Sequence, residues 1–131
     1  MKRRHLTLLS VPLPFALLAV TAGTVHAELT GELYFVVLLK AGPSWTPDMT
    51  PEIEKLQQAH LDNIRKLHDA GKLVLAGPFL DDGDLRGMLV LTAATLEEAR
   101  QVAGTDPMVK SGRLLADIHP WMGPREIKGG P

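Results

Sequence analysis

The chain has 131 residues, 45% of them hydrophobic, a formal net charge of −1 and no cysteine. The missing cysteine excludes disulfides and thiolate catalysis. The balanced charge, with no basic stripe interleaved with aromatics, argues against a nucleic-acid partner.

Lys2, Arg3 and Arg4 precede an apolar run from Leu6 to Ala22, and Val25-His26-Ala27 supplies a small-x-small site. This is the layout of a secretory signal peptide over residues 1–27, cleaved after Ala27. The rival reading is a membrane anchor. The run is short of the roughly 20 apolar residues a spanning helix needs, and it holds Pro12 and Pro14. Cleavage leaves 104 residues with 11 basic and 15 acidic side chains, a net charge of −4. That length suits one domain, over 28–124, and the expected location is periplasmic or secreted. No membrane contact is expected after cleavage.

Leu33 to Lys40 is nearly all apolar and predicts a strand. A loop with Pro43 and Pro47 runs to Met49. Thr50 then caps a helix with Pro51 at its first position, and Gly71 ends it. Lys72 to Leu80 predicts a second strand, cut near its end by Gly77-Pro78. Asp81 to Asp84 is a turn, too short and wrongly ordered for a calcium loop. Gly87 to Thr92 predicts a third strand. Thr95 and Glu98 form a capping box for a second helix that stops at Gly104. Asp106-Pro107 opens a short helical turn, and Arg113 to Trp121 predicts the last strand. Residues 123–131 hold three Gly and two Pro and are expected to fray, with a flexible tail over 125–131. The order β-α-β-β-α-β is the split pattern of a ferredoxin-like α+β sheet.

The strands offer apolar groups to both faces, as in Tyr34 to Leu39 and Met88 to Leu91. Two helices cover one face only. The other would be an exposed apolar patch, and such patches mark interfaces. A second copy related by two-fold symmetry is the simplest cover, which predicts a homodimer built sheet against sheet. On the last strand, Leu115, Asp117, His119 and Trp121 share the face assigned to that partner.

His60 draws attention within the first helix. At about 100° per residue, Ile53 and Leu67 fall within about 20° of it, and Leu56 and Ile64 within about 40°. The side chain that titrates near neutral pH is thus centred on the core-facing stripe. An imidazole there costs free energy unless it is hydrogen-bonded. Either a backbone carbonyl satisfies it or it has a chemical role. Asp106 reads first as a helix cap, and second as a carboxylate facing His60. A carboxylate on one ring nitrogen fixes the tautomer and strengthens the other nitrogen as a base. Gly77-Pro78 reads as a strand end, or as a place where backbone approaches a ligand or the His60 ring. Trp45, in a loop of about nine residues, is a lid or a plug. His60, Asp106 and His119 have no short-range spacing that supports a metal site.

Together these segments resemble the YCII-related family. The likeness runs from about Leu33 to Pro124. It rests on Gln58-Ala59-His60-Leu61, on Gly71-Lys72-Leu73 leading into Ala76-Gly77-Pro78, on Asp82-Gly83 and on Thr95-Leu96-Glu97-Glu98-Ala99. Asp106-Pro107-Met108-Val109-Lys110-Ser111-Gly112, before a strand ending in Pro120-Trp121, completes it. The resemblance implies a dimeric α+β barrel of ferredoxin-like subunits. It also implies an active-site pair of a first-helix histidine and the aspartate of Asp-Pro, which are His60 and Asp106 here. One relative removes HCl from a chlorinated ring compound.

The expected function is therefore a lyase or isomerase working by general acid–base chemistry on a small organic molecule. His60 and Asp106 would be catalytic, with Gly77, Pro78 and Trp45 about the substrate. No cofactor is implied. The alternative is a non-catalytic dimer that binds a small ligand in the cell envelope or serves as an accessory subunit.

Overall fold

A computed structural model describes residues 31–125 of the chain. The expected signal segment, within residues 1–30, and the tail from residue 126 lie outside those residues. Four strands and three helices follow in the order β1 (Gly31–Ala41), α1 (Pro51–Asp69), β2 (Leu73–Pro78), β3 (Leu85–Leu91), α2 (Leu96–Ala103), α3 (Pro107–Lys110) and β4 (Leu114–Pro124). They form one antiparallel sheet in the order β2-β3-β1-β4, the arrangement of a ferredoxin-like α+β fold.

Local chemistry sets the boundaries. The Thr50 side chain accepts from the Ile53 N–H, and Pro51 sits where its missing N–H costs nothing. Gly71, at φ 70°, turns the chain away after α1. Thr95 caps α2 through the Glu98 N–H at 3.1 Å, and Glu98 returns a bond to the Ala94 N–H at 2.9 Å. This reciprocal pair fixes the start of the second helix.

Phe35, Val37, Leu39, Leu89, Leu91, Leu73 and Leu114 form the inner sheet face. They pack with Leu67 of α1, with Ala99, Val102 and Ala103 of α2, and with Met108 of α3. The apolar stripe on α1 places Leu67 and His60 in the buried layer, with Leu56 and Ile64 half-buried beside it. The outer face carries Val36, Leu38 and Met88, with Leu75, Leu115 and Trp121 exposed. Polar groups share this face. Lys40 donates to Asp117 at 2.6 Å, and His119 Nε2 lies 3.0 Å from the same carboxylate.

Several boundaries differ from the sequence expectation; β1 begins at Gly31 rather than Leu33, and β2 ends at Pro78 rather than Leu80. Gly123 and Pro124, expected to fray, pair with Glu32 and Gly31 as the last rungs of β4 on β1. The Tyr34 hydroxyl donates to the Pro124 carbonyl at 3.2 Å and ties that end down. Strand β3 begins at Leu85 rather than Gly87, and its extra residues carry an irregularity that bears on the site.

Candidate functional site

His60 is 9% exposed and Asp106 is 2% exposed. Helix α1 brings the imidazole down onto the start of α3, where Asp106 is the N-cap. Its Oδ1 accepts the Met108 N–H at 2.9 Å, and its Oδ2 lies 2.7 Å from His60 Nδ1. A carboxylate can only accept, so Nδ1–H is the donor, and in the neutral ring Nε2 is then the nitrogen without a proton. With Nδ1 engaged, Nε2 is the nitrogen left to exchange a proton, and it has no hydrogen-bond partner among the described residues. One carboxylate thus caps a helix and orients an imidazole at once. The cap holds it rigidly, since moving Asp106 would also break the start of α3.

His60 lines a cavity of about 350 Å³. Its other walls are Gln57, Leu61 and Ile64 of α1, Leu39 and Leu89 of the sheet, Met108, and Trp45 from the loop before α1. The volume lies near the lower end of the range for small-molecule sites. The lining is mostly apolar with a few polar groups. Gly77 and Pro78 also line it, on the β2 edge. A Cβ built on Gly77 would meet nothing within 4 Å. The crowding falls on Gly87 instead, where a Cβ would sit 3.2 Å from the Gly77 carbonyl. Among these residues the tight strand-to-strand contact is at Gly87, where a Cβ would press the Gly77 carbonyl.

Trp45 contacts two guanidinium groups. The central carbons of Arg86 and Arg113 each lie 4.5 Å from its ring centroid. Arg113 is buried and donates to the Thr46 carbonyl at 2.8 Å, which fastens the loop. Ser44 N–H donates to the Gly112 carbonyl at 3.0 Å nearby.

Arg86 was not foreseen. Leu39 pairs with Gly87 but Lys40 pairs with Leu85, so Arg86 is an extra residue in β3. A bulge of this kind re-aims a side chain. Here it puts Arg86 on the inner face beside Gly87, against Trp45 and in the cavity wall. The sequence signal was a charged residue at the head of an apolar strand, but register irregularity leaves no local mark. Gln57, one turn before His60, was also overlooked.

His119 does not join this group. It pairs across from Val36 on the outer face and contacts Asp117, with the sheet between it and the His60 stripe. Among the described residues no three His, Cys, Asp or Glu side chains cluster as metal ligands. The Lys40 ammonium, and after it His119, hold the Asp117 carboxyl below the ordinary carboxylate range. The same hydrogen bond raises Lys40. No helix among the described residues is long and apolar enough to cross a membrane.

The family model of the YCII-related domain matches residues 33–122. The chain belongs to the YCII-related family. No curated protein matches it. Among solved structures it is similar to 5-chloro-2-hydroxyhydroquinone dehydrochlorinase (TftG) from Burkholderia phenoliruptrix AC1100, in complex with 2,5-dihydroxybenzoquinone. The TM-score is 0.50 at 22% sequence identity, over 69% of this chain and 93% of that one. At that identity the likeness establishes the shared α+β fold.

Proposed function

We propose that this YCII-related protein is an exported, cofactor-independent enzyme of the lyase or isomerase type. His60 is its proton-transfer group and Asp106 the residue that positions it. The observation that carries the reading is the 2.7 Å contact between His60 Nδ1 and a capped, buried carboxylate, on a ring that also lines a cavity. His60 Nε2 takes a proton from an acidified C–H or O–H of the bound molecule. The electron pair released forms a new π bond, and in the lyase case the leaving group departs with its own bonding pair. In the lyase case the sum is loss of HX; in the isomerase case His60 returns the proton to another atom of the same molecule, and neither needs an oxidant or reductant. Asp106 holds the ring in place and stabilises the imidazolium that forms. Positioned proton transfer of this kind contributes about 10²–10⁴-fold.

The dehydrochlorinase with the similar fold supports a small, oxygenated ring as the first substrate class to try. Gly77, Pro78 and Trp45 are its proposed contacts. Two copies associate through the outer sheet face, where Val36, Leu38, Met88, Leu75 and Leu115 supply the apolar area. Cleavage after Ala27 releases the chain beyond the inner membrane, and the amino-terminal sequence of the mature protein tests it by starting at Glu28.

The test of function is turnover of chlorinated hydroquinones and enolisable lactones by the wild type and by His60→Ala. Turnover abolished in His60→Ala, with fold and assembly intact, is the expected result. Equal turnover in the variant would overturn the reading. Ligand binding without product under every condition would assign the chain to small-ligand binding instead.

A further inference from the structure

We propose that the cavity selects anions, and that Arg86 is the residue that holds the negative oxygen of a carboxylate, phenolate or enolate ring compound. The inference deepens the reading above and rests on it for the location of the site.

Among the described residues two ionisable side chains line the cavity, His60 and Arg86, and no carboxylate does so. Asp106 is turned to His60 and to the α3 backbone. The fixed charge of the site is therefore positive. Arg86 forms no ion pair among the described residues, where acidic side chains pair instead with Lys40, His60, Arg65, His68, Arg100 and His119. Its Nη1 donates to the Gly83 carbonyl at 3.0 Å, while its Nε is buried with no acceptor. A buried donor on a charged group that lacks an acceptor is expensive to keep. The π face of Trp45 offsets part of that cost but accepts none of the planar N–H groups.

Arg113 compounds the imbalance. It also lies 4.5 Å from the Trp45 ring, and its Nε is likewise buried without an acceptor among the described residues. Two guanidinium groups thus contact one indole, and no carboxylate among the described residues pairs with either. An anionic oxygen entering the cavity can meet Arg86 through Nη2, which is not buried and makes no hydrogen bond among the described residues. The guanidinium fork suits a carboxylate or a pair of adjacent ring oxygens. The location also suits the chemistry. When His60 removes a proton, the negative charge left on the substrate faces a fixed cation, and that cation needs no reorganisation to meet it. The β3 bulge is what makes this possible, because a regular register would point this side chain elsewhere.

The experiment is calorimetric binding of ring pairs of similar shape whose members are anionic or neutral: 2,5-dihydroxybenzoquinone against 2,5-dimethoxybenzoquinone, and benzoate against benzamide. Each pair is titrated into wild type, Arg86→Gln, Arg86→Lys and His60→Ala. In the wild type at least one anionic member should bind about tenfold or more tighter than its neutral partner. Arg86→Gln should erase that preference. Arg86→Lys, which keeps the charge but not the planar fork, should retain part of it. Unchanged circular dichroism in either variant shows that the sheet is intact. Neutral members binding as well as anions overturns the proposal. So does an anion preference that survives Arg86→Gln, or no binding by any anion. His60→Ala separates the two readings. An anion preference kept there, with turnover never found in any protein, sinks the enzyme and leaves the anion site standing. Turnover dependent on His60 but indifferent to Arg86 does the reverse.

Discussion

Replacing Asp106 by asparagine separates the two jobs that one carboxylate performs. Oδ1 caps α3 and Oδ2 faces His60. Asparagine caps a helix about as well as aspartate, so its oxygen can keep the Met108 N–H. Its amide nitrogen then lands where Oδ2 was, and it can only donate. The imidazole must turn Nδ1 into an acceptor and carry its proton on Nε2, which makes it useless as a base. A charge-assisted hydrogen bond becomes a neutral one, a loss of about 1 kcal/mol. Asp106→Ala loses the cap as well, about 1 kcal/mol, and strands a buried ring N–H, about 1–3 kcal/mol more. The alanine variant should therefore lose about 2–4 kcal/mol. Urea unfolding with a common slope reads both values. Turnover should fall about 10²–10⁴-fold in Asp106→Asn even though the fold is nearly as stable as wild type. Equal destabilisation by asparagine and alanine, or wild-type turnover in Asp106→Asn, would refute the reasoning.

Other expectations follow from the loop, the outer face and its charges. Trp45→Ala removes two cation–π stacks and should cost about 1–2 kcal/mol in urea unfolding; an unchanged midpoint would mean that the loop is held by Arg113 and Thr46 alone. Leu38→Glu, at the centre of the outer face, should give a folded monomer by light scattering at micromolar concentration, where the wild type should be a dimer; a variant that stays dimeric moves the interface elsewhere. Asp117 is depressed in the fold, so its pairing stabilises above the ordinary value of 3.8 and is lost as pH falls through the lower folded value. Lys40 is raised, so the same pairing stabilises below 10.5 and is lost as pH rises through the higher folded value. The melting curve of Asp117→Asn should converge on that of the wild type at both extremes and lie below it between them; a constant offset at every pH would contradict this account.

The frame of the fold was legible because its signals are local. Thr50-Pro51, the Thr95–Glu98 box and Asp106-Pro107 each mark a helix start through a hydrogen bond made within a few residues. The stripe of Ile53, Leu56, Ile64 and Leu67 placed His60 in the buried layer through helical geometry alone. What the residues left open was whether its partner would be a backbone carbonyl or Asp106. The two lie 46 positions apart, and only the docking of α1 on α3 brings them together. Arg86 was illegible for a similar reason. Its direction depends on how β1 and β3 slip past one another at Leu39 and Lys40, a property of the pairing and not of either strand. Gly77 lines the cavity with His60, while the tight contact its carbonyl makes is with Gly87 on β3, a product of strand pairing that neither segment shows alone.

The measurement closest to the central claim is the ¹⁵N spectrum of the His60 ring in the folded wild type near neutral pH, with and without a bound anionic ring. The account predicts a proton on Nδ1 protected by Asp106, a bare Nε2, and a change confined mainly to Nε2 when the ligand enters. A proton resting on Nε2, or an Nε2 signal unmoved by a ligand that occupies the cavity, would contradict it.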